Sequence, residues 1–268
     1  MAFTASIVLY RHRREELYDL LSQLEMANSV LKVWLVDNGE CEWASELTGC
    51  EKFIYIKAPK NGGYGYGHNL VLSKLSLDVS HHIICNPDIY LDAKELDEFS
   101  LILQNYQEAL VMPNVTDPDG TRQELCKLLP HPGNLLARRF IPVIARHLDR
   151  RYMLRDADFS KPFFAPSLSG CFMVCRTDAL KAVKGFDERF FMYMEDVDLS
   201  RRLAARGGAL YLPVFTVKHA FQKGSYKNKL LLKYHIKSAI SYFNKWGWFV
   251  DCERRSLNLK CRASLPRA

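Results

Sequence analysis

The 268-residue sequence has no CxxC pair among its eight cysteines, no internal repeat and no low-complexity segment. Nor does any apolar run approach the roughly 20 residues that a membrane-spanning helix needs. Its start, MAFTASIVLY, lacks the layout of a signal peptide. These absences argue against a structural zinc site, a disulfide framework and a spanning helix, and they predict a cytoplasmic protein with free thiols. Several cysteines lie inside apolar runs, where the thiol behaves as a small hydrophobe. The 48% hydrophobic and 25% charged content belongs to a soluble globular chain. The length suits one large domain or one and a half.

Negative charge is scarce at one end only. Residues 223–268 hold eleven Lys and Arg against Asp251 and Glu253, so +9 of the net +7 resides there and the first 222 residues carry −2. A basic tail raises the possibility of a nucleic-acid partner. The body is slightly acidic and the tail has no recognised nucleic-acid motif, so that footprint is partial and no nucleic acid is expected.

What is present begins as alternating strand and helix. Residues 4–10 (TASIVLY), 31–36, 53–56 and 81–85 read as short apolar strands, and residues 15–27 as a helix with Leu17, Leu20, Leu21 and Leu24 on one face. This rhythm predicts an α/β fold with a mainly parallel sheet flanked by helices. Ligands in such sheets collect at the carboxyl ends of the strands. Asp37 and Asp88 fall there, each in a turn signal, DNG and NPD. Between the third and fourth strands, NGGYGYGHN (61–69) holds four glycines. His68 stands where GxGxxG needs its last glycine, and no P-loop Lys-Ser/Thr follows. The run reads as a ligand lining or a surface turn.

Residues 113–166 are rich in Pro and Arg and hold a helical stretch near 135–147; most of their arginines read as a solvated face. Order returns with a buried strand at 168–176 (LSGCFMVCR), a helix at 177–183 and a strand at 209–213 leading to His219. Residues 190–206, FFMYMEDVDLSRRLAAR, place Glu195, Asp196 and Asp198 behind an aromatic and Met-rich run, in or just before the first turn of a helix that Gly207-Gly208 ends. Acids there can simply cap the helix. Crowded together, they should also raise the pKa of at least one, which suits a proton acceptor. Residues 228–250 predict an amphipathic helix. Lys229, Lys233, Lys237, Ser241 and Lys245 lie at spacing four, beside Leu232, Ile236, Ile240 and Phe243. The pattern fits a helix on an anionic bilayer, or one docked on the domain with its lysines in water.

TASIVLY, VDNG, NGGYGYGHN, NPD, SGCFMVCR, GFDERFFMYMEDVDLSRRLAARG and a His six residues past Pro213, in that order, resemble family 2 glycosyltransferases. The resemblance is nearest to bacterial rhamnosyltransferases that build O-antigen or cell-wall glycans on a polyprenyl lipid. It implies the GT-A fold, with residues 1–112 as the nucleotide-sugar-binding half, 113–222 as the acceptor-binding and catalytic half, and 223–268 as a basic helical tail.

Carried over, the resemblance makes Asp37 a partner of the donor's pyrimidine ring with Tyr10 near the base. Gly62, Gly63 and Asn69 would border the nucleoside and its phosphates, and Asn86 and Asp88 would stand in the donor site. Asp88 matches the last acid of the family's DxD motif, while Asn86 replaces the first, leaving one carboxylate. His219 matches a position that supplies a second ligand for Mg²⁺ or Mn²⁺. Asp196 would be the base that deprotonates the acceptor, Glu195 would orient it or touch the donor sugar, and Asp198 would be structural. The implied reaction is inverting transfer of L-rhamnose from dTDP-β-L-rhamnose to a lipid-linked sugar such as undecaprenyl-diphospho-GlcNAc. It would take place at the cytoplasmic face of the inner membrane, with the tail against the anionic surface. Another donor (a UDP-hexose or UDP-galactofuranose) and a catalytically silent sugar-nucleotide binder are the alternatives. The oligomeric state has no signature in the sequence.

Overall fold

The computed structural model describes residues 1–134, 150–220 and 229–267. The helical stretch expected near 135–147, with Arg138, Arg139 and Arg146, lies outside them, as do residues 221–228.

Strands β1 (Phe3–Leu9), β2 (Val30–Asp37), β3 (Phe53–Lys57) and β4 (His81–Cys85) are parallel, in spatial order β3-β2-β1-β4. All seven residues of β1 are buried, as suits an inner strand covered on both faces. Helix α1 (Arg14–Met26) buries the four predicted leucines. Beyond β4 the sheet becomes mixed. Strand β10 (Phe172–Arg176) runs antiparallel to β4 and to β6 (Leu110–Thr116), and β6 pairs parallel with β11 (Ala209–His219). Two short strands, β5 (Ile89–Tyr90) and β8 (Phe163–Phe164), add antiparallel to β11, and β7 (Cys126–Lys127) pairs β9 (Ser167–Leu168) separately. Helices α2 (Tyr64–Leu72), α3 (Ala93–Ile102), α4 (Thr177–Ala182), α5 (Glu195–Gly207), α6 (Lys229–Trp246) and α7 (Cys252–Ser264) complete the named elements.

Several expectations change. The strand read at 168–176 is two, broken at residues 169–171. The strand read at 209–213 continues through Pro213 to His219. A strand also runs through Pro113. Both prolines fall where the β6–β11 register jumps from Tyr211↔Met112 to Thr216↔Asn114, an irregularity in which no ladder N–H is demanded of them. Most of the glycine run is helical, because α2 starts at Tyr64.

The tail helix α6 docks by a face other than the one read from the lysine spacing. Ser238, Tyr242 and Phe243 are buried; Tyr242 and Phe243 pack with Phe190 and Met194. Lys245 is turned inward: its ammonium bridges Asp187 (2.7 Å) and Asp198 (2.6 Å). Asp198, fully buried, also accepts from Trp246 Nε1 (2.8 Å) and Arg202 Nε (2.8 Å). Arg201, equally buried, holds Asp251 bidentately at 2.6 and 2.7 Å and stacks 3.9 Å over Trp246, which fixes the start of α7. Outward, Leu230, Ile236 and Ile240 are exposed beside Lys229, Lys233 and Lys237.

Removing one member of a buried charge network strands its partners without water. Asp198→Ala should therefore lower unfolding stability by about 3–5 kcal/mol in urea titration. The exposed Lys229→Ala should change it by less than about 0.5 kcal/mol.

Candidate active site

The parallel strands bring their carboxyl ends to one edge of the sheet. Leu9 is in register with Asp37 and Ile7 with Cys85, so Tyr10, Asp37 and the Asn86–Asp88 turn emerge as neighbours. The Asp37 carboxylate is buried and pinned. Oδ1 accepts from the amides of Gly39 (2.8 Å) and Cys41 (3.2 Å), and Oδ2 from the Tyr55 hydroxyl (2.9 Å). Burial, then Asp37 itself, pushes the Tyr55 hydroxyl up to about 12, so it remains a donor. Tyr10 is half-exposed and its ring lies over Gly39, where an added Cβ would sit 3.1 Å from it.

Gly63 closes this end at the N-terminus of α2. Its φ is +94°, and a Cβ there would stand 1.9 Å from the carbonyl oxygen of Phe191. The glycine is required by the close approach of the loop that carries the acids, to which Tyr64 N also donates (3.1 Å). Gly62 packs against the Tyr66 ring. Asn38, a neighbour in VDNG that sequence reasoning passed over, donates from Nδ2 to the Gly63 carbonyl (2.9 Å), while its buried Oδ1 has no hydrogen-bond partner among the described residues. Asn69 is not brought to this edge. Its amide is spent on Phe186 and Glu188, accepting from Phe186 N (2.8 Å) and donating to Phe186 O and Glu188 (both 2.9 Å).

Glu195 and Asp196 are the first two residues of α5, behind Tyr193 and Met194, both left-handed with φ of +67° and +66°. Asp196 Oδ2 accepts from Gly170 N (3.1 Å) and Oδ1 from Val197 N (2.8 Å). Tyr64 donates its hydroxyl to the Gly170 carbonyl (2.7 Å), and the next carbonyl, of Cys171, receives Asn86 N (2.8 Å). Gly170 and Cys171, within the three-residue break between β9 and β10, thus bridge Asp196 to the Asn86–Asp88 turn. Burial first, and then Asp196, pushes the Glu195 carboxyl well above the usual carboxylate range, and its buried Oε2 has no hydrogen-bond partner among the described residues. Of the three acids only Asp196 adds to the burial that raises Glu195, and the upward shift favours its protonated form. Asp198 turns away from the cleft into its own ion network.

His219, the last residue of β11, pairs with Ile89 and so reaches the same turn. Its Nε2 lies 3.3 Å from Asp88 Oδ1 and 3.3 Å from Asn86 Nδ2. The Asp88 oxygen is buried without a hydrogen-bond partner among the described residues. Among the described residues, no group of three His, Cys, Asp or Glu side chains forms a metal cluster.

No family model matches the chain. Curated relatives do. The chain is 22% identical over 249 residues to the rhamnosyltransferase WbbL of Escherichia coli K12, covering 88% of this chain and 91% of the relative. It is 26% identical over 220 residues to the N-acetylglucosaminyl-diphospho-decaprenol L-rhamnosyltransferase of Mycobacterium tuberculosis, covering 74% and 70%. Among solved structures, GalNAc-T7 with UDP, GalNAc and Mn²⁺ superposes with a TM-score of 0.62 at 11% identity, over 91% of this chain and about half (48%) of that one. The mannosyltransferase PcManGT of Pyrobaculum calidifontis, with GDP-Man and Mn²⁺, gives 0.58 at 14% identity, over 97% and 75%. The chain is a glycosyltransferase of the GT-A fold. Its sequence resembles the family 2 rhamnosyltransferases that act on polyprenyl-linked sugars.

An acid whose folded pKa is raised contributes its stability fully below the unfolded value and loses it as pH rises towards the folded one. Glu195→Gln should match the wild type in mild acid and become the more stable protein as pH rises through neutral, in thermal unfolding scans. Glycosyl transfer by the same variant should fall, because the side chain's own proton is replaced by an amide of different reach.

Proposed function

We propose that this glycosyltransferase moves L-rhamnose, with inversion, from dTDP-β-L-rhamnose to a lipid-linked sugar such as undecaprenyl-diphospho-GlcNAc. The observation that carries the reading is the Gly170–Cys171 bridge, which ties a carboxylate at a helix N-terminus to a turn bearing Asp88 and His219. The names of the curated relatives support rhamnose as the sugar and a polyprenyl-linked GlcNAc as the acceptor.

In this reading the pinned Asp37 accepts the ring N–H of the donor's pyrimidine, and Tyr10 lies against the base. Gly62, Gly63 and the amide of Asn38 border the nucleoside. Asp196 accepts the acceptor hydroxyl's proton as that oxygen attacks the anomeric carbon, a contribution of about 10²–10⁴-fold. The bond to the diphosphate breaks in the same displacement, which inverts the centre. Glu195, neutral, donates a hydrogen bond to the sugar in place of the water it excludes.

Asp88 and His219 fit a hard divalent cation: a carboxylate oxygen without a hydrogen-bond partner among the described residues faces an imidazole nitrogen at 3.3 Å. They would hold Mg²⁺ or Mn²⁺, with Asn86 beside them and the remaining ligands drawn from diphosphate and water. The ion supplies neutralisation of the departing diphosphate.

The exposed face of α6, with Lys229, Lys233 and Lys237 among Leu230, Ile236 and Ile240, is proposed to lie on an anionic bilayer, on the cytoplasmic face of the membrane. Among the described residues no helix is long and apolar enough to cross a membrane.

Purified protein supplied with dTDP-L-rhamnose, a polyprenyl-diphospho-GlcNAc and Mn²⁺ should release dTDP only when the acceptor is present, and chelator should stop it. Asp196→Asn should lower that rate by about 10²–10⁴-fold. Turnover with a UDP-sugar instead would retire rhamnose and keep the site, and turnover by Asp196→Asn at the wild-type rate would remove the base. In flotation assays the protein should follow vesicles containing phosphatidylglycerol and leave pure phosphatidylcholine. The triple variant Lys229→Glu, Lys233→Glu, Lys237→Glu should stay behind with the soluble fraction; equal flotation would sink the bilayer assignment.

A further inference from the structure

His219 is held from behind as well as faced from in front. Strand β6 leaves the sheet at Thr116, turns through residues 117–120 and returns, so that Gln123 N bonds Val115 O (2.9 Å) and Arg122 bridges Thr116. The turn allows this because Gly120 takes a φ of +89°. Gln123 is thereby laid along the end of β11. Its Nε2 donates to Asp117 Oδ1 (2.6 Å) and to the carbonyl oxygen of His219 itself (2.8 Å). Its Oε1 faces His219 Nδ1 at 3.0 Å.

The orientation of that amide follows from its partners. A carboxylate and a carbonyl oxygen can only accept, so the two N–H groups of Gln123 must face them, and Oε1 must face the ring. An amide oxygen can only accept as well, which requires the proton to sit on Nδ1. A neutral imidazole with a proton on Nδ1 has its lone pair on Nε2. That lone pair is turned towards Asp88 Oδ1 and the long N–H contact from Asn86.

We infer that Gln123, braced by Asp117, is a positioning residue that fixes His219 in the Nδ1–H tautomer and so makes Nε2 a standing electron-pair donor beside Asp88. The two facing atoms are then both electron-rich, an arrangement that a cation between them relieves and a plain histidine–carboxylate hydrogen bond does not produce. Ligating histidines depend on such a partner for the other ring nitrogen, and losing it typically weakens metal binding about 10–100-fold. The inference rests on the proposed cation site for its consequence, but the tautomer stands apart from it.

The test is long-range ¹H–¹⁵N NMR of the imidazole rings in metal-free protein, above the ordinary imidazole titration range, with His219 assigned by comparison with His219→Ala. The wild type should show Nδ1 protonated and Nε2 bare. Gln123→Met, of similar length but with no acceptor for the ring, should move His219 towards the Nε2–H form and weaken Mn²⁺ binding, followed by electron paramagnetic resonance, about 10–100-fold. Asp117→Ala, which frees the amide to rotate, should shift the tautomer in the same direction. A wild-type ring protonated on Nε2 overturns the inference whatever the variants do. So does a Gln123→Met protein with unchanged tautomer and unchanged Mn²⁺ affinity. Failure of the cation site itself would show separately, as Mn²⁺ binding that His219→Ala leaves intact, and the tautomer spectrum would still judge Gln123.

Discussion

One buried carboxylate holds together the part of the chain that carries Glu195 and Asp196. Asp198 receives Lys245, Trp246 and Arg202 and has no contact with water, so α5 and the far end of α6 cannot separate without leaving charge unpaired in the interior. What that joint carries is the loop ahead of α5. Tyr193 and Met194 there are left-handed without being glycine, a conformation costing about 1–3 kcal/mol each when held in sparsely populated backbone regions. The surroundings over-determine it. Ser238 donates to Met192 O (2.8 Å), Phe191 stacks near Tyr234 and Tyr193 near His235, and Gly63 leaves room for the Phe191 carbonyl. Glu195 and Asp196 emerge from this clamp with little freedom. A site preorganised in this way spends no reorganisation during the reaction.

The second joint is smaller and ties the β9–β10 break to the Asn86–Asp88 turn. Gly170 and Cys171 interrupt what would be a continuous strand, and the interruption is where Asp196 meets the Asn86–Asp88 turn. Gly170 is tightly packed: a Cβ there would lie 3.0 Å from Asp196 Cβ, so a side chain would press on the acid. The tail helix, the acid loop and the Asn86–Asp88 turn are therefore linked by short contacts, although the turn lies about a hundred residues or more from the other two along the chain.

The parallel strands, α1 and the position of the acids at the start of a helix were legible because each is a local pattern: runs of β-branched and aliphatic residues, leucines at helical spacing, turn residues at the ends. Asp37 and Asp88 at one edge followed from the parallel-strand pattern, but the arrival there of Glu195, Asp196 and His219 was legible only as a resemblance, since no local pattern brings β11 beside β5. The tail was misread in detail for a physical reason. Spacing four groups lysines on one stripe, but it cannot tell a lysine stem lying over the surface from one whose ammonium enters a pocket. Lys245 fits the stripe and yet serves Asp187 and Asp198. Asn69, which the resemblance put at the donor's phosphates, lies within α2 and braces residues 186–188.

By itself the sequence determined the strand and helix periods, the −2 body with its +9 tail, and the order of motifs that marks the chain as a glycosyltransferase. Those are properties of neighbours along the chain, set by side-chain spacing and composition. Only the tertiary structure decided that Glu195 is buried beside Asp196 with its carboxyl pushed upward, that Gln123 backs His219, and that Lys245 belongs to the interior. Protonation state, tautomer and ion pairing depend on burial and on partners distant in sequence, and these exist only when the sheet has closed around them.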